Sequence, residues 1–556
     1  MSRSPDVRRY GAGGERRLTP AYRPRQARKT APCQVGCPNC ADIREWIGTI
    51  AQRGKLGLSR EEAFTRAWRT IVAVNPFPSV LGRVCPHPCE AHCNRGDYDE
   101  PVAINALERF LGDWAISAGL SFDRFDAEPR EEWIGVVGGG PSGLSFAYQM
   151  AARGYRVTVY EAAERAGGML RYGIPDYRLP PSVLDAEIQR ILDLGVELEP
   201  GCRVGRDVSL EELRKRHDAL YLGIGAQMGR GLGVSGEDGP SVWTGTDYLR
   251  LVNCGQPVEL GARVAVVGGG NTAVDAARTA RRAGAEVTIL YRRGREEMPA
   301  IEHEVEDALE EGVELVLLAS PERIERAPDG RIAALVARRM RLGAPDDSGR
   351  RRPVPIDGSE FRLEVDSVIA AVSQSPDFAG FEFLDAGSGW LARDGDGGGD
   401  GLLAGGDALG LGIAGNAIVQ GRRAAEILHA RLRGLEPPGP EPDARAAIGP
   451  DRVKLDSKER VAAARPPRLA VAHRLTADRA EVTATILEEM FHAEAARCLS
   501  CGSCFGCERC AMFCTAGCFS RLEEIAPGSY FTLMLENCQE CGKCVEICPC
   551  GFLEVT

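Results

Sequence analysis

Trp133-Ile-Gly-Val-Val-Gly-Gly-Gly-Pro-Ser-Gly-Leu-Ser-Phe-Ala-Tyr-Gln-Met-Ala-Ala-Arg-Gly-Tyr-Arg-Val-Thr-Val-Tyr-Glu161 reads as strand, glycine turn, helix and second strand. Ile134–Val137 is a short apolar run, the helix extends to about Arg153, and Arg156–Tyr160 is the second strand. That is a βαβ unit of ordinary length. Gly138 permits the tight turn, Gly140 lets a pyrophosphate approach the backbone, and Gly143 allows the helix to pack close on the strand. Pro141 and Ser142 open a helix whose unpaired N–H groups and positive end suit a phosphate. Glu161, 23 residues after Gly138, stands where a carboxylate bonds ribose hydroxyls. A structural glycine turn would account for the triplet, but not for the flanking strands and the terminal acid.

The pattern recurs once. Arg263–Val267 leads into Gly268-Gly-Gly-Asn-Thr-Ala273, a helix runs to about Gly284, and the strand Glu286–Leu290 follows. Gly268, Gly270, Asn271 and Thr272 form the second nucleotide loop. This unit ends in Tyr291-Arg292-Arg293 instead of an acid. Arginines there pair with a 2′-phosphate and favour NADP. As solvated surface residues they would leave NAD open. Two different strand ends imply two dinucleotides, and a flavin with a nicotinamide is the economical pair.

The whole chain fits around these units. Its 556 residues allow three or four domains with sizeable cores. The net charge of −11 argues against nucleic-acid binding. Hydrophobic and charged contents of 44% and 26% are those of a globular protein. No apolar run is long enough to span a membrane, and the arginine-rich start has no secretory signal. A cytoplasmic location is therefore expected.

Cysteine placement is uneven. Six of the 20 lie from Cys33 to Cys93 and twelve from Cys498 to Cys550. Short spacing without a signal peptide indicates metal or cluster ligands, not disulfides. Cys504-x2-Cys507-x2-Cys510-x3-Cys514 and Cys538-x2-Cys541-x2-Cys544-x3-Cys548-Pro549 show two-cluster ferredoxin spacing. In that pattern the fourth cysteine of each run serves the other cluster. The expected sets are Cys504, Cys507, Cys510 and Cys548, and Cys514, Cys538, Cys541 and Cys544. Cys518 and Cys550 stay unassigned. Cys202 and Cys254 are expected as buried small apolar residues.

Longer motifs carry a resemblance over about residues 31–432. They include Asn75-Pro-Phe-Pro, Gly82-Arg-Val-Cys-Pro86, Cys89-Glu-Ala-His-Cys93, Gly167-Gly-Met-Leu-Arg-Tyr-Gly-Ile-Pro175, Glu297-Met-Pro299, Gly405-Gly-Asp407 and Gly421-Arg422. The chain resembles the glutamate synthase small-subunit family, related to the pyridine-nucleotide half of dihydropyrimidine dehydrogenase. The resemblance implies FAD in the first site and NADP or NAD in the second. It places Gly168, Met169 and Leu170 near the flavin, has Asp407 after Gly406 bond the FAD linker, and has the helix beginning near Asn416 and Ala417 face the isoalloxazine. It further implies an α/β fold of two nested Rossmann-type dinucleotide-binding domains, a helical N-terminal iron–sulfur domain and a C-terminal ferredoxin-like domain.

The expected boundaries are a flexible arm (1–30), the helical iron–sulfur domain (31–130), the FAD domain halves (131–240 and 371–432), the NAD(P) domain between them (241–370), a linker (433–490) and the ferredoxin domain (491–556). The family's N-terminal Cys-x-x-Cys pair is absent here, so one N-terminal cluster is expected, on Cys33, Cys37, Cys85 and Cys89. Cys40, Cys93 and Glu108 are substitutes for a ligand, and structural zinc is the alternative metal. With the ferredoxin module this makes three [4Fe-4S] clusters. Cys498 and Cys501 resemble the missing pair and offer another arrangement, with Cys33 and Cys93.

Arg497–Cys510 and Cys548–Leu553 resemble the iron–sulfur flavoprotein family associated with dissimilatory sulfite reductase. That implies an NAD(P)H:acceptor oxidoreductase whose redox-protein partner is sulfite reductase. The alternatives are an electron-input subunit for glutamate synthase or a 2-oxoacid oxidoreductase, and a non-catalytic electron-transfer scaffold. Relatives also imply a homodimer. No general acid, base or nucleophile is expected, because the cofactors carry the chemistry.

Overall fold

The computed structural model describes residues 22–126, 128–346, 348–380, 382–385, 389–391, 401–439, 446–476 and 479–555. Residues 1–21 of the expected arm, and nearly all of the glycine-rich stretch 393–401, lie outside these.

Two parallel five-stranded sheets are nested in one another. The first runs Leu402–Ala404, Ala219–Leu222, Trp133–Val137, Arg156–Glu161, Glu197–Pro200. Its edge strand Leu402–Ala404 returns beside Ala219–Leu222 only after the second sheet has been completed. The second runs Glu314–Leu317, Glu286–Tyr291, Arg263–Val267, Ser367–Ala370, Val242–Thr244. A three-stranded antiparallel sheet, Ala319–Arg326, Ile332–Pro345 and Arg351–Leu363, stands beside it. The central strands Trp133–Val137 and Arg263–Val267 are apolar and buried beyond their first residue, as strands covered on both faces must be.

The helix Pro141–Ala152 begins with proline in its first turn and is buried along almost its whole length. It lies against the long helix Ala414–Arg433, where a Cβ on Gly421 would stand 2.2 Å from the Ser142 carbonyl oxygen. Ser145 Oγ also donates to Ile418 O at 2.8 Å. This contact sets the start of the long helix over the first glycine turn. The two nucleotide-binding units are joined by a buried ion pair, with Arg178 Nη1 donating to both Asp275 oxygens at 2.9 and 2.7 Å.

The N-terminal region is helical. Ile43–Ala51, Arg60–Val72 and Ile104–Ser117 surround Trp46, Ile47, Phe64 and Leu107. Ser59 and Glu62 form a capping box at the start of the second of these helices. Phe491 and Ala495, from the helix Glu488–Arg497, complete the same core. The C-terminal segment thus begins packed in the N-terminal core.

Residues 446–476 are tied to both cysteine-rich regions. Asn94 Nδ2 donates to Ile448 O at 3.0 Å, Arg95 Nη2 to Glu459 O at 2.7 Å, and Lys454 N to Pro549 O at 2.8 Å. The end of the expected arm is likewise held, because Pro24–Gln26 pairs antiparallel with Leu553–Val555. Pairing satisfies backbone groups that a free arm would leave to water. Among the described residues no helix is long and apolar enough to cross a membrane.

Candidate functional site

The first glycine turn opens a cavity of about 670 Å³. Gly138, Gly140, Pro141, Ser142, Glu161, Gly168, Met169, Gly406, Asp407 and Ala417 all line it. Gly138 has φ +102°, and a Cβ there would meet Gly223 O at 2.4 Å. At Gly140 the nearest atom to an added Cβ is 3.8 Å away, so the space before it is open for a diphosphate. Gly143 lies beneath the turn, where a Cβ would be 1.9 Å from Gly138 O. Glu161 accepts from Gly139 N at 2.7 Å and Ala163 N at 2.8 Å. Burial raises its carboxyl pKa while these N–H groups lower it. Asp407 accepts from Gly412 N at 3.1 Å, and burial pushes it up to about 6.

Two residues expected at this site are placed differently. Leu170 belongs to the apolar core, and exposed Asn416 is not among the lining residues. Met169 at the head of its short helix, and Ala417 one residue further along the long helix, face the cavity instead. Sequence reading missed Gly223, Gly225, Gln227, Arg203 and Asp377 as lining residues. They follow strands or loops without a recognisable motif. Cys202 and Cys254 line this cavity too, and neither is buried.

The second turn opens a cavity of about 400 Å³, lined by Gly268, Gly270, Thr272, Tyr291, Arg292 and Arg293. An added Cβ on Gly270 would have its nearest neighbour at 4.0 Å, the same open cradle. Asn271 serves the loop, its Oδ1 accepting from Ile301 N at 2.9 Å. The arginines separate. Arg292 is exposed, whereas Arg293 is buried, pairs with Asp346 at 2.5 Å and donates to Arg351 O at 2.9 Å. Arg293 therefore fastens a hairpin beside the site. That hairpin brings Arg350 to the cavity wall, a residue no sequence motif marks.

The thiols gather in four groups. Cys504, Cys507, Cys510 and Cys548 line one small cavity. Cys514, Cys538, Cys541 and Cys544 line a second. Cys550 Sγ lies 3.8 Å from Cys548 Sγ, and Cys518 N donates to Cys514 Sγ at 3.4 Å. The N-terminal thiols divide otherwise than expected. Cys33 lies with Cys93, Cys498 and Cys501 around a third cavity. Cys37, Cys85 and Cys89 stay together beside Glu108, and burial first, with the Glu108 charge adding to it, opposes their ionisation. The helix Pro32–Gly36 ends between Cys33 and Cys37, which parts the two thiols. Glu108 accepts from Asn75 Nδ2 at 2.8 Å, and burial raises it to about 7.

Among the described residues no three cysteine, histidine or acidic side chains converge as a single-ion site requires. Thiolates around a four-iron cube bind different irons and stand farther apart than around one zinc. The donor sets fit clusters, and the two open glycine cradles fit dinucleotides.

Comparison with known proteins agrees with this architecture. Residues 132–421 match the model for pyridine nucleotide-disulphide oxidoreductase, and residues 14–120 that for dihydropyrimidine dehydrogenase domain II, 4Fe-4S cluster. The chain is 41% identical over 440 residues to the NADP(+)-dependent formate dehydrogenase subunit beta of Moorella thermoacetica, covering 73% of this chain and 60% of that protein. It is 42% identical over 356 residues to the NADPH-Fe(3+) oxidoreductase subunit beta of Geobacter sulfurreducens, covering 63% and 52%. It is 37% identical over 361 residues to the glutamate synthase [NADPH] small chain of Azospirillum brasilense, covering 62% and 73%. The chain thus spans little more than half the length of the first two. The chain belongs to the pyridine nucleotide-disulphide oxidoreductase family, as an FAD-dependent oxidoreductase joined to a 4Fe-4S domain.

Proposed function

We propose that this chain is the NADPH-linked electron-transfer subunit of a larger redox assembly, exchanging electrons between the nucleotide and a protein partner. One observation carries the reading: the Cys37 group abuts the helix that lines the flavin cavity. A Cβ on Gly415 would stand 3.6 Å from Pro38 Cγ, and Arg422 Nη2 donates to Asn39 O at 3.4 Å. FAD, when bound, supplies the conversion between two-electron hydride chemistry and single-electron transfer. Gly140 and the start of Pro141–Ala152 would seat its diphosphate, and Glu161 its ribose. Gly270 would seat the nicotinamide nucleotide's diphosphate, with Arg292 and Arg350 beside it.

The outermost thiol group suits a protein partner. Cys541 is exposed, and Met512 and Phe513 near it are 75% and 56% exposed. Relatives named as subunits support a partner. Dissimilatory sulfite reductase is the partner we infer, from the Arg497–Cys510 and Cys548–Leu553 resemblance, with the chain itself a homodimer. The test is anaerobic NADPH oxidation by the purified protein with siroheme sulfite reductase. Flavin bleaching followed by sulfite reductase reduction is expected. Bleaching with no reduction above background removes the sulfite reductase partner and favours a glutamate synthase or 2-oxoacid oxidoreductase. Absence of bleaching removes the NADPH-linked reading itself. A monomer by light scattering removes the dimer.

A further inference from the structure

We propose that Cys33, Cys93, Cys498 and Cys501 hold a four-iron cluster of their own, a site built jointly by the two ends of the chain. The four thiols line one small cavity walled by Ile43 and Ile47. Cys93 and Cys498 are more than 400 residues apart in sequence, so their meeting is a product of the fold. Packing of Phe491 and Ala495 in the N-terminal core brings in the helix that ends at Cys498. Arg95 Nη1 fastens that end by donating to Arg497 O at 2.5 Å.

The backbone around Cys498 repeats that around Cys538, which lies in the ferredoxin spacing. Ser500 has φ +54° and its N donates to Cys498 Sγ at 3.4 Å. Glu540 has φ +56° and its N donates to Cys538 Sγ at 3.4 Å. Non-glycine residues avoid this conformation unless their surroundings require it. Here it aims an N–H at a sulfur that can accept it. Asn94 Nδ2 adds a contact to Cys501 Sγ at 3.6 Å. Buried Arg44, donating to Cys501 O at 2.6 Å, places a cation beside the group. A buried group of thiolates needs such compensation.

Position gives the site its consequence. Cys33 and Cys37 flank one turn of helix, and Cys501 and Cys504 are three residues apart. The site therefore joins the thiols beside the flavin cavity to the ferredoxin module. Its relay role deepens the electron-transfer reading and rests on it, but the existence of the site does not.

Iron, sulfide and zinc per flavin, measured on the full chain purified and reconstituted without oxygen, test the proposal. Four clusters of four irons each predict about 16 irons and no zinc. Cys498→Ser/Cys501→Ser should lose about four irons while keeping flavin and its bleaching by NADPH. NADPH-driven appearance of the ferredoxin-module electron paramagnetic signal should slow at least about tenfold. About 12 irons in the unaltered protein, zinc at these thiols, or no loss of iron in the double variant would each overturn it. The unaltered count decides even if the variant fails to fold. Failure of the electron-transfer reading shows separately, as an unbleached flavin with about 16 irons still present.

Discussion

The two glycine turns share a frame, and two of their differences bear on what each can hold. Gly138 and Gly268 both have positive φ, and a Cβ on either would strike a carbonyl, Gly223 O at 2.4 Å or Ala371 O at 2.3 Å. In both, the loop after the second strand returns to the turn, through Gly167 N to Gly139 O and Ala300 N to Gly269 O. The third glycine, Gly143, becomes Ala273 in the second unit. The strand end, Glu161, becomes Tyr291, whose ring lies where a Cβ on Gly269 would fall. Its hydroxyl donates to Glu297 O at 2.7 Å. An acid at that position holds a ribose and repels a 2′-phosphate, whereas Tyr291 with Arg292 beyond it removes the repulsion.

The largest expected effect comes from forcing the first turn to resemble the second. Gly143→Ala puts a Cβ 1.9 Å from Gly138 O, so helix and strand must separate. Overpacking of this kind costs about 1–3 kcal/mol, and the displaced turn should release the flavin. Thermal unfolding followed by flavin fluorescence reads both; an unchanged midpoint with full flavin would mean that the close packing is not required.

Glu161→Gln comes next. Its carboxylate receives two backbone N–H groups, and hydrogen bonds to charged groups are worth about 1.5–3 kcal/mol. FAD affinity should fall by about tenfold or more, with the fold retained. Equal flavin content after dialysis of variant and wild type would assign the acid a purely structural role.

The contrast explains what the sequence made legible. Local spacing carried both turns, because three glycines, a helix start and a strand end lie within 30 residues or so. The ferredoxin thiols were readable for the same reason. Cys33 was readable only as an alternative, through the likeness of Cys498 and Cys501 to the missing pair, because the packing of Phe491 that brings them in is reported by no spacing. Arg293 lines the second cavity, but its long-range partner was not legible. Its sequence position suggests phosphate binding and reports nothing of the pair it makes with Asp346. Arg350 escaped notice because it reaches the cavity on a hairpin.

The division between the arginines gives a third expectation. Arg292→Ala should raise KM for NADPH about tenfold, or 1.4 kcal/mol, and leave NADH nearly unchanged. Arg293→Ala should weaken both nucleotides by loosening the hairpin. Equal loss for NADH and NADPH with Arg292→Ala would remove the 2′-phosphate assignment.

Asp407 gives a pH test confined to the first site. Burial raises its pKa from 3.8 to about 6, so the flavin-free folded protein keeps a proton that the unfolded chain gives up. Its contribution to stability therefore falls as pH rises from about 4 to about 6 and stays lower above. Asp407→Asn should gain midpoint relative to wild type over that interval, measured on flavin-free protein. A difference constant from pH 4 to pH 8 would show that the carboxyl titrates normally.

The smallest effect is the reverse exchange, Ala273→Gly. Ala273 is fully buried in Asn271–Arg282, and its Cβ stands 3.1 Å from where one on Gly268 would be. The second turn therefore has room for a Cβ at the position where the first, at Gly143, has none. Removing that methyl relieves no clash and costs the helix about 1 kcal/mol. NADPH binding should hardly change, because Gly270, not residue 273, faces the diphosphate. A marked gain in nucleotide affinity would mean that the second turn is held open by Ala273, and that helix–strand distance distinguishes the two sites more than their strand ends do.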